Sequence, residues 1–312
     1  MSNSGLDTPW DLILTDDPFG SDMVDVSPVT RKWLDVPYDD KSPSQVLDIY
    51  LPEEGEGPFP AYIFVHGGMF LLGDKQDMQF MLAIDGVNRG YAVISLEYRR
   101  ALETKAPAAL YDVKAALRFL RAHAAEYRLD PERFALGGDS AGAYYAVFTA
   151  ATEGIAAFDG PDPANAGVSS HVSAVIAECG VYDPGSIAPD PELEAADPTA
   201  PFNGGLPRNL MTGAFGVNPN SIPDIIRLIN PITYITKDFP PAFIQAGTED
   251  MFIPCTESES LCRAITERCG ADRVRCRIFE GWNHCATGHI LTPGFFMAEN
   301  MDRIFGFLDE VM

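Results

Sequence analysis

The pentapeptide Gly138-Asp139-Ser140-Ala141-Gly142 stands between a short apolar run, Arg133 to Leu136, and a helical pattern, Ala143 to Ala151. A serine held in a sharp turn from strand to helix has a strained backbone, and flanking glycines leave room for neighbouring chain to pass close by. Such a turn projects the hydroxyl from the carboxyl end of a sheet, the edge at which open α/β sheets bind ligands. The helix that begins after it adds free amides and a partial positive charge, both of which favour an oxyanion. Ser140 is therefore the candidate nucleophile, and Ala141 N–H the natural first oxyanion donor. Asp139, at the free position of the motif, is expected to hydrogen-bond locally.

The rest of the chain has a rhythm that suits this turn. Apolar runs at Val46 to Leu51, Ala61 to Val65, Ala92 to Leu96, Arg133 to Leu136, Val172 to Ala177, Ala242 to Ala246 and Val274 to Phe279 alternate with longer helical patterns. That alternation predicts an α/β protein, a mostly parallel central sheet flanked by helices on both faces. One helix is read between Pro107 and Glu126, where Leu110, Val113, Leu117 and Leu120 recur at three-to-four spacing and Pro107 suits the first turn. A second begins near Thr256-Glu257-Ser258-Glu259, whose hydroxyl and carboxylate have capping-box spacing. The last lies around Met297 to Leu308.

At 312 residues and 46% apolar, the chain has enough material for one core. Residues 1–43 and residues 184–240, the latter rich in Pro, Gly and Asp, break the alternation. Long excursions of this kind are usually functional or disordered. Both are expected as cap elements on a catalytic domain spanning 44–312.

Ser140 needs partners. A serine hydroxyl is a weak nucleophile at neutral pH unless an imidazole takes its proton and a carboxylate fixes that imidazole's tautomer. The chain has five histidines. His66 falls in a glycine loop, His123 on a helix and His171 at a strand entrance, which leaves His284 and His289. His284 follows the strand Val274 to Phe279 and the turn Glu280-Gly281-Trp282-Asn283, and is favoured as the base, with His289 the alternative. The acid is expected in Gly247-Thr248-Glu249-Asp250, at the end of the strand Ala242 to Ala246, with Asp250 preferred over Glu249. The order serine, acid, histidine then follows along the chain. His66-Gly67-Gly68-Met69-Phe70, after the strand Ala61 to Val65, reads as the second oxyanion loop. Gly68 and Met69 N–H are its candidate donors, and Gly67 permits the turn.

Several functions are disfavoured by composition. A formal charge of −23 repels nucleic acid and anionic membrane surfaces, and no apolar run reaches the length of a membrane span. With no apolar signal segment at the start, a cytoplasmic location is expected. Six cysteines are too few for a disulfide scaffold. Cys255, Cys262, Cys269 and Cys276 recur every seven residues without a CxxC pair, so buried free thiols are expected and no metal is implied. Cys285 is expected to be a bystander thiol beside the base. Glu97, Arg99 and Arg100 are expected to form an ion-pair network at the active-site rim. Phe70, Tyr144, Tyr145 and Trp282 flank the proposed chemistry, where they could stack on a substrate ring or pack in the core.

With these residues in hand, the chain resembles the bacterial hormone-sensitive-lipase-type esterases and their acetyl esterase and feruloyl esterase relatives. The resemblance runs from about Val46 to the C-terminus. It rests on Leu47-Asp48-Ile49-Tyr50-Leu51-Pro52, His66-Gly67-Gly68, Glu97-Tyr98-Arg99, Pro107 to Val113, the Gly138 to Gly142 elbow, Gly247-Thr248-Glu249-Asp250 and Glu280 to His284. It implies an α/β-hydrolase fold and hydrolysis of short-chain acyl esters without metal or organic cofactor. It also implies a triad of Ser140, Asp250 and His284, with oxyanion donors in Gly67, Gly68, Met69 and Ala141. Many relatives carry glycine or alanine where this chain has Met69, whose side chain would narrow the acyl pocket. The partner is a small-molecule ester, and a homodimer is conceivable. Two other readings stand beside the esterase: an amidase such as an arylformamidase, and a ligand-binding receptor on the same scaffold that does not catalyse.

Overall fold

The computed structural model describes residues 23–161, 164–202, 205–284 and 298–312. Eight strands form one sheet in the order β1-β2-β4-β3-β5-β6-β9-β10. They are β1 (Lys32–Pro37), β2 (Val46–Tyr50), β3 (Phe59–Val65), β4 (Ala92–Leu96), β5 (Leu129–Asp139), β6 (Ala174–Glu178), β9 (Ala242–Gly247) and β10 (Val274–Phe279). A separate two-residue pair, β7 (Pro201–Phe202) and β8 (Leu206–Pro207), lies in the 184–240 insertion. From β4 to β10 the strands run parallel, while β1 and β2 pair antiparallel at one edge.

All seven expected strands are present, with β5 longer than its apolar run at both ends. The N-terminal stretch differs from the expected cap, since Lys32–Pro37 is an edge strand of the sheet. Its faces are mostly exposed, so it shows no apolar alternation, and a bulge between Trp33 and Val36 breaks its register. Asp35 sits in that bulge at φ 53°, with its N–H donated to the Asp48 carboxylate at 2.7 Å. The portion of the expected cap before Met23 lies outside the described residues.

Alternate residues of β3 feed two cores. Ala61, Ile63 and Val65 join Leu110, Val113, Leu117 and Leu120 of the helix Ala108–Ala122 on one face. Tyr62 and Phe64 join Ile304, Phe305 and Leu308 of the helix Ala298–Val311 on the other. Each leucine sealed in this way contributes about 2 kcal/mol relative to exposure. The helix carrying the elbow, Ala141–Ala151, is buried on every side, as expected of an element sandwiched between sheet and insertion. Among the described residues no helix is long and apolar enough to cross a membrane.

Two local expectations fail. The helix Thr256–Cys269 takes Cys255 as its N-cap, with no side-chain capping bond, because Thr256 already lies in the first turn. Glu257 turns away instead, accepting the amides of Tyr182 at 2.8 Å and Asp183 at 2.6 Å. The seven-residue cysteine spacing also has a structural outcome different from free thiols. Cys262, on the inner side of that helix, is joined to Cys276 of β10 by a disulfide across a Cα–Cα separation of 6.1 Å. Cys179 is likewise disulfide-bonded, whereas Cys255 and Cys269 are free and half-buried. Cys285 lies outside the described residues.

Glu178 ends β6 wholly buried, accepting a hydrogen bond from Gln245 of β9. Burial pushes its carboxyl up to about 8. A carboxyl whose folded pKa is raised favours the protonated form. Its contribution is therefore full below the unfolded value near 4.5 and drains away as pH rises through about 8. Glu178→Gln keeps an acceptor for Gln245 without a charge. We expect its urea-unfolding free energy to exceed the native chain's by about 1–3 kcal/mol at pH 9 and to converge with it at pH 5. A constant offset between the two pH values would refute this.

Candidate active site

Ser140 occupies a backbone conformation rare for a residue with a side chain, φ 51° and ψ −115°. Such a conformation costs about 1–3 kcal/mol and persists only where the surroundings enforce it. The enforcement is visible on both sides. Ser140 N–H donates to Glu178 O of β6 at 2.8 Å, and Ser140 O accepts Tyr144 N–H at 3.2 Å as the helix begins. The end of β3 passes directly over the turn. A Cβ on Gly138 or Gly142 would collide with the carbonyl oxygen of Val65.

Asp250 and His284 meet at the same edge. The loop after β9 is sewn to the loop after β10 by Thr248 N–H to Phe279 O at 3.0 Å and Glu249 N–H to Trp282 O at 2.9 Å. Asn283 then bridges the two loops, its side-chain oxygen accepting His284 N–H at 2.7 Å and Met251 N–H at 3.1 Å. Within this frame Asp250 Oδ1 accepts Phe252 and Ile253 N–H at 2.9 and 2.8 Å, which leaves Oδ2 facing His284 Nδ1 at 2.6 Å. The carboxylate and the imidazole are both buried, and the edge of Phe252 packs against the ring at 5.3 Å. With Nδ1–H committed to Asp250, Nε2 is the nitrogen left to accept a proton. Glu249, the alternative acid, is exposed. His289, the alternative base, lies outside the described residues.

Ser140 and the pair are linked through the end of β6. The residue after Glu178 is Cys179, whose Sγ and the facing atoms of Asp250 and His284 lie within 4.8 Å of one another. Cysteine, aspartate and histidine are a plausible metal set by type, but a disulfide sulfur is no thiolate and the aspartate is already spent on the imidazole. Among the described residues Ser140 Oγ makes no direct hydrogen bond to His284. Catalytic bonds of this kind are often long without substrate and tighten on its arrival.

The glycine loop after β3 turns through three successive left-handed residues, Gly68 (φ 112°), Met69 (φ 56°) and Phe70 (φ 67°). Only glycine fits at Gly68, where a Cβ would strike the backbone of Leu72. Among the described residues the amides of Gly68, Met69 and Ala141 have no hydrogen-bond partner, so they are free to receive an oxyanion. Gly67 is different. Its N–H is already donated to Gln79 Oε1 at 2.6 Å and Asp139 Oδ1 at 2.9 Å, which removes it from the donors.

Beneath the loop, His66 is sealed from solvent with both ring nitrogens facing oxygen, Nδ1 to Gly67 O at 2.7 Å and Nε2 to Glu97 at 3.4 Å. Two acceptors call for two protons. Burial opposes that charge, yet the Glu97 carboxylate prevails and raises the imidazole pKa to about 9. Tyr98 stacks on the ring at 4.5 Å and donates its hydroxyl to His66 O at 3.0 Å. Of the expected rim network only part is present: Arg100 reaches Glu97 at 3.7 Å and Gly73 O at 2.5 Å, whereas Arg99 forms a separate pair, gripping Asp112 through Nε and Nη2.

The aromatic residues expected beside substrate have other employment. Phe70 is packed edge-on against Tyr144, Tyr145 and Phe215, and Tyr144 donates its hydroxyl to Ile229 O at 2.7 Å. With 3% and 2% exposure, Phe70 and Tyr144 are core residues that tie the insertion to the oxyanion loop. Trp282 lies flat on Phe279 at 4.0 Å and packs against the second core. Residue-by-residue reading missed Gln79 and Asp77. The only sequence signal was Asp77 as a capping residue for the turn Met78–Phe80, and nothing local connects that turn to a loop ten residues earlier.

Sheet order, elbow and acid–base pair are together those of an α/β-hydrolase. Residues 47–265 match the BD-FAE family model, and the chain belongs to that family. Esterase LipQ of Mycobacterium tuberculosis is 28% identical over 239 residues, covering 75% of this chain and 52% of that protein. A probable isoprenylcysteine alpha-carbonyl methylesterase of Arabidopsis thaliana, ICMEL1, is 28% identical over 262 residues, covering 83% and 51%. The chain thus spans about half the length of these curated relatives. Among solved structures, a truncated carbohydrate esterase from gut microbiota superposes with a TM-score of 0.76 at 25% identity, covering 93% of this chain and 99% of that one. Est2 of Thermogutta terrifontis, with propionate bound, shares the fold at a TM-score of 0.68 and 21% identity, covering 92% and 96%.

The His66–Glu97 pair has a pH signature. Because the folded pKa of His66 lies above its usual 6.5, the stabilisation is full below that value and is lost as pH rises through about 9. Glu97→Gln leaves a buried imidazole without its counter-charge. The variant is expected to lose about 3 kcal/mol at pH 6.5 in urea unfolding and to close most of that gap with the native chain by pH 9.5.

Proposed function

We propose that this chain is a carboxylesterase that hydrolyses short-chain acyl esters through an acyl-enzyme, with Ser140 as nucleophile, His284 as base and Asp250 as its orienting carboxylate. The observation that carries the reading is the 2.6 Å Asp250–His284 pair at the carboxyl edge of the sheet that also holds the strained serine elbow. Family membership and relatives named as esterases support it.

In this mechanism Ser140 Oγ attacks the ester carbonyl while its proton passes to His284 Nε2. Asp250 keeps Nδ1–H in place and stabilises the imidazolium. The carbonyl oxygen becomes an oxyanion and is received by Ala141 N–H together with Gly68 or Met69 N–H. His284 returns the proton to the departing alcohol. A water molecule, deprotonated in turn by His284, then releases the acid and restores Ser140.

We read residues 184–240 as a cap over this site, anchored by Phe215 on Phe70 and by Ile229 on Tyr144. The Met69 side chain at the oxyanion loop favours small acyl groups. A neighbour described as a carbohydrate esterase, matched over nearly its whole length, supports an acylated sugar as the substrate class. The Cys262–Cys276 disulfide favours an oxidising compartment over the expected cytoplasm, because such bonds persist where thiols are not kept reduced.

Ser140→Ala is expected to lower kcat/KM on p-nitrophenyl acetate by about 10,000-fold or more, and Asp250→Asn to lower kcat by about 100- to 10,000-fold through the wrong histidine tautomer. Full activity in Ser140→Ala would sink the mechanism. Across acetyl, butyryl and octanoyl esters, kcat/KM should fall with chain length, and an octanoyl preference would exclude the narrow acyl pocket.

A further inference from the structure

The Gly67 amide is held by two acceptors that come from different parts of the chain. Asp139 reaches it from within the elbow, and Gln79 from the turn Met78–Phe80 on a separate excursion after β3. Gln79 is 2% exposed, and its carbonyl oxygen makes the shorter contact, 2.6 Å against 2.9 Å. A methyl group on Gly67 would lie 2.8 Å from Gln79 Oε1 and 2.9 Å from Asp139 Oδ2, so only a bare glycine lets these two side chains close on its N–H. Gln79 is in turn fixed by Asp77, whose Oδ1 accepts Gln79 N–H at 3.0 Å while Oδ2 accepts Asp74 N–H at 3.2 Å.

The consequence lies one peptide further on. Each of the next two amides shares its peptide plane with a carbonyl that is itself held, Gly68 N–H with Gly67 O, which faces His66 Nδ1 at 2.7 Å, and Met69 N–H with Gly68 O, which accepts Leu71 and Leu72 N–H at 3.0 and 2.8 Å, so the loop moves as one unit about its entry at Gly67. Direction matters, since an oxyanion donor works only when aimed in advance at the place where charge develops. We propose that Gln79 is a positioning residue of the esterase. Its side-chain carbonyl pins Gly67 N–H and so aims the Gly68 and Met69 amides at the oxyanion. This inference rests on reading the chain as a serine esterase.

Gln79→Met keeps the side chain's length and removes the acceptor. With p-nitrophenyl acetate, assayed well below the unfolding midpoint, kcat is expected to fall about 10- to 100-fold with KM within about twofold, because the loss falls on the transition state. An alkyl boronic acid, which forms a tetrahedral anion on the serine, should lose affinity by a similar factor. Loss of folded protein alone would leave both KM and boronate affinity unchanged, so the pairing of kcat with boronate affinity separates aiming from stability. Should Gln79→Met not fold, Gln79→Ser, whose hydroxyl is too short to reach Gly67, takes its place under the same criteria. An unchanged kcat, or a reduced kcat with unchanged boronate affinity, overturns the assignment while an inactive Ser140→Ala control leaves the esterase reading standing. An active Ser140→Ala overturns both.

Discussion

The crossing of β3 over the serine turn is the contact on which the site depends. Val65 O runs so close to Gly138 and Gly142 that a single added carbon at either position would enter its van der Waals shell. Because β3 lies there, its continuation, His66 to Phe70, emerges directly beside the nucleophile. Because the turn is bare, Ser140 can adopt φ 51° at the end of β5. The serine turn and the glycine loop are therefore placed by one backbone approach, and the backbone strain at Ser140 is offset by the packing of the wholly buried helix that follows.

Around this crossing, at the carboxyl edge of the sheet, buried polar groups accumulate. His66, Glu97, Asp77, Gln79, Asp139 and Glu178 are all buried. Desolvation disfavours the charged form of each titratable member, and it does hold Asp139 well above the usual carboxylate range. The exception is the His66–Glu97 pair, where a facing charge outweighs burial and Glu97 stays below its ordinary value. A buried ion pair is a poor way to gain stability compared with apolar packing. Its position suggests another return: every member of the cluster touches, directly or through one neighbour, the backbone that presents the oxyanion donors or the serine.

Much of this was legible in the sequence, and the reasons differ by element. The central strands announce themselves as uninterrupted apolar runs because both faces are covered. Strand β1 does not, since its faces are exposed and Asp35 bulges it, so an edge strand was mistaken for a cap. Ser140, Asp250 and His284 were accessible because each follows a recognisable strand, and topology alone brings strand ends to one edge. Gln79 was invisible for the opposite reason. It serves a loop through a tertiary hydrogen bond, and neither periodicity nor spacing encodes such a contact. The cysteines show the same limit: a seven-residue spacing could be seen, but only the packing of a helix on β10 makes partners of Cys262 and Cys276.

The aromatic residues near the serine argue for where specificity must arise. In sequence Phe70, Tyr144 and Tyr145 admit either ring stacking or core packing, and in the fold they face one another and Phe215, leaving little of their area for a ligand. They work as a hinge post: the oxyanion loop contributes Phe70, the elbow helix contributes both tyrosines, and the insertion contributes Phe215 and the Ile229 carbonyl. Lys105 adds a further tie, donating to Gly213 O at 2.6 Å. On the proposed reading, specificity therefore falls to the insertion's other residues and to Met69, not to this aromatic core. Exchanging insertion residues can alter the ester accepted only so far as the post stays intact, because the same contacts that seat the insertion also hold Phe70 and the donors before it.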